Sequence, residues 1–160
     1  MKWLTKLTIP ALALVALSTT GVQASNGDDE SALAGVRHAT AAFHDLDKAT
    51  AAQYGRLLPC FDLPGVGGMG QHYVNFGLLN GSVDANQPQA MVYEVDGNRL
   101  QLVAVEYIVP GNLAQPTLFG RPFFWNDKLK IWALHAWIWR PNPRGIFENY
   151  NPSVKMCPGH

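Results

Sequence analysis

A nearly continuous apolar segment, rich in β-branched residues, runs over residues 100–109 and stops at Pro110. This pattern predicts a central strand that is covered on both faces. Glu106 lies on one face of this strand, and the other residues of that face are apolar: Leu100, Leu102, Ala104 and Ile108. A buried carboxylate without a partner costs several kcal/mol or stays protonated. We therefore expect Glu106 to contact another polar side chain.

Three other segments have the pattern of strands: residues 71–79, 90–95 and 131–139. A tight turn over residues 96–98 predicts a hairpin between 90–95 and 100–109, with Glu94 exposed near the turn. His72 and His135 lie in the first and last of these segments, among apolar neighbours. The predicted strands therefore carry two histidines and one glutamate in apolar settings.

Residues 31–54 have helical periodicity, since apolar positions recur at spacings of three and four. We expect one helix there, ended by Gly55 in a left-handed conformation, with His44 on its exposed face. Residues 57–70 contain four glycines and read as a connector. This connector is either a flexible turn or the border of a ligand pocket, and the pattern does not separate the two.

A long loop over residues 110–130 contains an aromatic cluster of Phe119, Phe123, Phe124 and Trp125. Loops of this length often lie across a surface as a cover. We therefore expect Phe119, Phe124 and Trp125 to cover a ligand. The proline-rich tail that follows residue 139 cannot hold a regular strand ladder.

These elements predict a single α+β domain over residues 25–160. In this domain a long N-terminal helix packs on a curved, mainly antiparallel sheet of about four strands. A sheet wrapped around the helix, as in cystatin-like folds, is the first expectation. A small open barrel is the alternative.

Residues 1–24 have a basic head, a short apolar core and a small-x-small end at Ala24, the pattern of a cleavable signal peptide. Cleavage after Ala24 leaves 136 residues with a net charge of −2. The chain is then periplasmic or secreted, with no integral membrane span after cleavage. It has no basic patch, which argues against nucleic-acid binding.

Export places Cys60 and Cys157 in an oxidising compartment, where one disulfide is expected. Closing so long a loop stabilises by roughly 4 kcal/mol in the chain-entropy account. The alternative is a metal pair of cysteine with His160, but nothing nearby completes that ligand set.

His72, Glu106 and His135 form a candidate metal-ligand set. Two histidines and one carboxylate can hold zinc with an open position, or iron, copper or manganese. Three metal-free alternatives stay open: a core hydrogen-bond network, a buried pair of Glu106 with Arg140, Arg121 or His135, and an acid–base pair. No serine lies in a nucleophile-elbow context, and no second carboxylate is embedded in a strand.

Several segments resemble a family of small secreted bacterial proteins of unknown function. They have the patterns GMGxHYxN over 68–75, VEYxVP over 105–110, LHxWxWRPNP over 134–143 and NPxVxxC ending at Cys157. The resemblance covers nearly the whole mature chain and includes the three candidate ligands. It implies export and a shared fold, and no reaction.

Three functions follow as hypotheses. The first is an exported metal-binding protein that uses His72, Glu106 and His135, with enzymatic activity left open. The second is a non-enzymatic module that binds a small apolar ligand or a protein partner through residues 119–125. The third is a purely structural envelope protein.

Overall fold

A computed structural model describes residues 25–159 of the chain. Two helices precede the strands: α1 (Ser25–Thr40) and α2 (Leu46–Ala51), joined by a 3₁₀ turn at Ala41–His44. The strands are β1 (Gly55–Leu63), β2 (Gly67–Val74), β3 (Ala90–Asp96), β4 (Arg99–Pro110), β5 (Thr117–Leu118), β6 (Arg121–Pro122), β7 (Phe124–Asn126) and β8 (Ile131–Ala136).

Six of these strands form one curled antiparallel sheet in the order β1-β2-β3-β4-β8-β7. Strands β5 and β6 form a separate two-stranded ribbon. The α+β class and the predicted β3–β4 hairpin are confirmed. The sheet has six strands where about four were expected, because short or irregular strands at its two edges have weak sequence patterns.

The predicted single helix is broken, which corrects the expectation for residues 31–54. Asp45 takes an extended conformation, and its side chain accepts a hydrogen bond from the Asp47 N–H. A short acidic side chain that caps a new helix in this way competes with helix continuation. Gly55 does not end the helix either, since Gln53 takes the left-handed conformation and Gly55 begins β1.

The segment expected to be a connector instead forms β1 and the start of β2. Strand β1 lies at the edge of the sheet, and its pairing with β2 shifts register between Leu57 and Phe61. Pro59 lies in this irregular part, where an edge strand tolerates the missing N–H. Gly70 is required for close packing, because a Cβ there would lie 2.6 Å from the Tyr93 carbonyl oxygen.

The two faces of the sheet differ in what they contact. The helix face packs in the main core with Leu33 and Val36 of α1. Its members include Met91, Tyr93, Leu102, Val105, Tyr107, Leu134 and Ala136. The opposite side, here called the site face, carries His72, Ala90, Ala104, Glu106, Ala133 and His135 by the strand register.

The prediction that Leu102 shares a face with Glu106 is wrong, because β4 contains a bulge. Val92 pairs with Ala104 and Tyr93 pairs with Leu102, so one residue of β4 between them has no partner. The extra residue reverses the side-chain alternation. Leu102 therefore lies on the helix face, while Ala104 stays with Glu106 on the site face.

Strand β8 ends at Ala136, three residues before the predicted end. The N–H of Trp137 donates to the Ile146 carbonyl, 2.8 Å away, so this part of the chain pairs with the tail instead of continuing the ladder. The tail is also held by the Cys60–Cys157 disulfide, as predicted.

The predicted signal peptide and His160 lie outside the described residues. Within residues 25–159, no helix combines the length and the apolar character needed to cross a bilayer.

Candidate metal centre

Strand pairing places Glu106 and His135 side by side on the site face. Glu106 of β4 is the direct cross-strand partner of His135 of β8. Directly opposed residues of an antiparallel pair have Cβ atoms about 4.5–5.5 Å apart. The contact between these two side chains therefore follows from the register alone.

His72 reaches the same point from β2, across the intervening strand β3. The residue of β3 that pairs with Glu106 is Ala90, which is fully buried. Its small side chain leaves space above β3 for the imidazole and the carboxylate to meet. In this curled sheet the side chains of His72 and Glu106 meet across β3 at 3.4 Å.

The three side chains form a triangle in which each histidine Nε2 atom faces a different oxygen of the Glu106 carboxylate. His72 Nε2 lies 3.4 Å from Glu106 Oε2, and His135 Nε2 lies 3.5 Å from Glu106 Oε1. The two Nε2 atoms are 3.4 Å apart. Among the described residues, this is the group of histidine, cysteine and acidic side chains that could hold a metal ion.

These edges are too long for a tight structural ion pair and fit a metal face. Charge-assisted hydrogen bonds between nitrogen and carboxylate oxygen measure about 2.7–2.9 Å. Zinc bound to nitrogen and oxygen at about 2.0–2.1 Å in tetrahedral geometry separates its ligand atoms by roughly 3.3–3.4 Å. Neighbouring ligands of an octahedral ion at about 2.1 Å are roughly 3.0 Å apart. The separation of the two Nε2 atoms, 3.4 Å, matches the tetrahedral case best.

Burial keeps all three side chains neutral when no ion is bound. Their exposed fractions are 6% for His72, 7% for Glu106 and 2% for His135. Desolvation raises the pKa of Glu106 to about 8. It lowers the pKa of His72 to about 4 and that of His135 to about 3, and the neighbouring His72 also lowers the latter. Neutral imidazoles are the form that binds a metal.

Each ring also buries its second nitrogen. The Nδ1 atoms of His72 and His135 have no hydrogen-bond partner among the described residues. The polar groups that act on these rings are the Gly70 backbone for His72 and the Asn149 side chain for His135, and each raises the pKa of its histidine. Metal-bound imidazoles usually donate this second ring N–H to a partner, and neither Nδ1 makes such a hydrogen bond with the described residues. Sequence reasoning did not find Asn149, because it lies in the irregular tail.

The three side chains line a cavity of about 650 Å³. Most side chains around the cavity are apolar, and they come from β1, β2, β4, β7, β8 and the loops between them. The lining includes Leu57, Phe61, Val74, Ile108, Phe124, Trp125, Leu129 and Ala133. A ligand cavity of this size and character takes a small organic molecule.

The predicted aromatic cover is only partly at this cavity. Phe124 and Trp125 line it and are 46% and 43% exposed. Phe119 is buried on the other side of the sheet, where its ring packs against Tyr107 and Phe147. The prediction for Phe119 is corrected, because the β5–β6 ribbon turns this residue into the helix-side core.

Glu94 and Arg140 also differ from expectation. Glu94 is buried, at 3% exposure, although its place near the hairpin turn predicted an exposed side chain. The Arg140 guanidinium donates to it at 3.1 Å and the Lys155 N–H at 2.9 Å. Arg140 therefore pairs with Glu94, and the described contacts of Glu106 are with the two histidines.

Comparisons of the chain with protein-family models, curated proteins and solved structures give no match.

Proposed function

We propose that this protein is an exported metal-binding module that holds one divalent ion, zinc in the first place, through His72, Glu106 and His135. The observation that carries the proposal is the buried cluster in which the two Nε2 atoms lie 3.4 Å apart and each lies 3.4–3.5 Å from one oxygen of the Glu106 carboxylate. Three ligands leave a fourth position of a tetrahedral ion open towards the cavity.

The charge balance of the site supports a divalent ion. Without an ion, the site buries a carboxyl group whose pKa lies at about 8 and two neutral imidazoles. A divalent ion favours the ionised carboxylate and binds the imidazoles in the form that they already have. Binding then releases the proton of Glu106.

An enzymatic reaction is left open in this proposal. A bound ion would polarise a ligand or activate a water molecule in its open position. Apart from the three ligands, the titratable side chains among the described residues that line the cavity are Asp127, Lys128 and Tyr150. Asp127 is 80% exposed and paired with Lys130, so a second buried acid for proton transfer is not in place in the described lining.

Export and family membership belong to the proposal as well. The Cys60–Cys157 disulfide is typical of an oxidising compartment and supports export by a signal peptide over residues 1–24. Membership in the family of small secreted bacterial proteins, a single domain over 25–160 and a cystatin-like wrap of the sheet are proposed on the segments and patterns given above.

The test is elemental analysis of the mature protein, expressed without a histidine tag, loaded with zinc and dialysed. We expect close to one zinc per chain. His72→Ala and His135→Ala should lose the ion, and His44→Ala should keep it because His44 is exposed and lies against Trp139. Circular dichroism establishes that each variant is folded. Full zinc occupancy in both folded site variants would sink the proposal.

A second candidate function is supported by the exposed aromatic side chains at the cavity. Phe124 and Trp125 are suited to hold a small apolar ligand without any metal. This candidate predicts unchanged ligand binding after the histidines are removed and weakened binding in Phe124→Ala and Trp125→Ala. Metal-dependent ligand binding would exclude it.

A further inference from the structure

The exposed apolar side chains of this protein are concentrated at one place. Eight large hydrophobic side chains are exposed among the described residues, and five of them line the cavity above the metal centre. These five are Leu58, Phe76, Phe124, Trp125 and Leu129. A contiguous exposed apolar surface marks a binding site more often than a random surface feature.

The cavity continues into a second one, which gives the apolar surface an elongated shape. The second cavity, of about 460 Å³, shares Leu79, Ile108, Trp125 and Ile131 with the first. From there it extends along Pro110 and Gly111. An elongated apolar groove fits an extended hydrocarbon chain better than a compact ring.

The charge expected at the metal centre indicates which chemical group the ligand carries at the end opposite its hydrocarbon chain. A divalent ion held by one carboxylate and two neutral imidazoles has a net charge of +1, in a cavity whose lining is mostly apolar. Lys128 adds a cation at the rim, while the charge of Asp127 is balanced by Lys130, 2.7 Å away. An anionic oxygen donor complements this arrangement and can take the open position on the ion.

We propose that the metal centre and the apolar groove form one composite site for a carboxylate with an extended aliphatic chain. The carboxylate binds the open position of the ion, and the chain lies along Phe124, Trp125 and Leu129. This proposal rests on the proposed function, because it needs the ion at His72, Glu106 and His135. It adds the class of ligand.

The experiment uses the whole mature protein loaded with Co²⁺, whose visible absorption reports on its ligands. Octanoate, acetate and 1-octanol are titrated separately. Since each buried methylene adds about fourfold in affinity, octanoate should bind at least about 100-fold more tightly than acetate. It should also change the Co²⁺ spectrum, which 1-octanol should leave unchanged. Octanoate binding no tighter than acetate, or binding without a spectral change, would overturn the proposal.

Two leucine variants give a matched control for the groove. Leu129 lines the cavity and is 45% exposed, and Leu63 is 43% exposed but lies outside the lining. Leu129→Ala should weaken octanoate binding about three- to tenfold. Leu63→Ala should change it less than about twofold, and both should keep one Co²⁺ per chain. If the two variants weaken octanoate binding equally, the aliphatic chain does not lie along Leu129, and the proposal is contradicted.

The two proposals fail in different ways. If the protein takes up no stoichiometric Co²⁺ or zinc, the metal centre itself is wrong, and the composite site fails with it. If it takes up the ion but the octanoate titration shows no preference over acetate, the metal centre stands and only the ligand class is wrong.

Discussion

The two ends of the β3–β4 hairpin each bury a glutamate, and the two sites are built differently. Glu94, near the turn, is 3% exposed and accepts hydrogen bonds from Arg140 at 3.1 Å and the Lys155 N–H at 2.9 Å. Glu106, at the far end, is 7% exposed, and its contacts with His72 and His135 are 3.4 and 3.5 Å long.

This difference separates a structural carboxylate from a candidate ligand. Glu94 has a permanent cation and a backbone donor at hydrogen-bonding distance, so its charge is compensated by the protein itself. Glu106 has two neutral imidazoles whose pKa values lie at about 4 and 3, and no cationic side chain among its described contacts. The missing positive charge is what a metal ion would supply.

The largest effect should come from matched glutamate variants in a zinc competition assay. Glu106→Gln removes the one anionic ligand and should lower zinc affinity by at least about 100-fold. Glu94→Gln should leave zinc affinity within about twofold, because Glu94 is not part of the triangle. A zinc affinity unchanged in Glu106→Gln would refute the assignment of this residue as a ligand.

The free energy of unfolding in urea, measured with a chelator at pH 6.5, should rank the same two variants in the opposite order, with the larger loss in Glu94→Gln. Glu94→Gln sets an amide against the donors of Arg140 and Lys155 and should cost about 2 kcal/mol. Glu106→Gln should change the free energy of unfolding by less than about 0.5 kcal/mol, since Glu106 is already protonated at this pH. A large loss in Glu106→Gln would show that Glu106, like Glu94, has a mainly structural role.

A third test changes Ala90, the small residue of β3 that lies between the strands of His72 and Glu106. Ala90→Val fills the space over β3 where His72 meets Glu106, and it should weaken zinc binding about tenfold. Ala136→Val is the matched control, because Ala136 is equally buried but lies on the helix face. If both variants lose zinc affinity equally, the effect comes from general overpacking of the sheet.

The smallest effect concerns the pH dependence of the metal-free protein. The pKa of Glu106 is raised to about 8, so its stabilising contribution is present at low pH and is lost as pH rises through about 8. The lowered pKa values of the two histidines contribute stability above about 6.5, which is lost as pH falls towards 4. The free energy of unfolding should therefore fall by about 1 kcal/mol between pH 6.5 and 8.

Thermal unfolding in the presence of a chelator measures this dependence. Glu106→Gln has no ionisable group at this position, so its melting temperature should not fall over the same pH interval. A wild-type profile that stays flat from pH 6.5 to 8 would contradict the buried, protonated state of Glu106.

Much of the fold is readable in the sequence where the patterns are local. The β3–β4 hairpin follows from two apolar segments around a short turn, which has two residues, Gly97 and Asn98, in the structure, and β8 follows from one apolar segment. The disulfide was expected from two cysteines in a chain whose first 24 residues have the pattern of a signal peptide. The irregular edge strand β1 and the helix break at Asp45 were missed, because side-chain capping and edge pairing override periodicity.

For the candidate site, the pattern of the chain alone identifies three polar residues in apolar strands: His72, Glu106 and His135. Whether they meet depended on the tertiary structure: the register that opposes Glu106 to His135, the small Ala90 over which His72 reaches, and the curl of the sheet. Phe119 and Glu94 show the same dependence, since each was misplaced by its local context. Strand periodicity sets the face of a side chain, but contacts across strands depend on register, bulges and long-range packing, which no local pattern encodes.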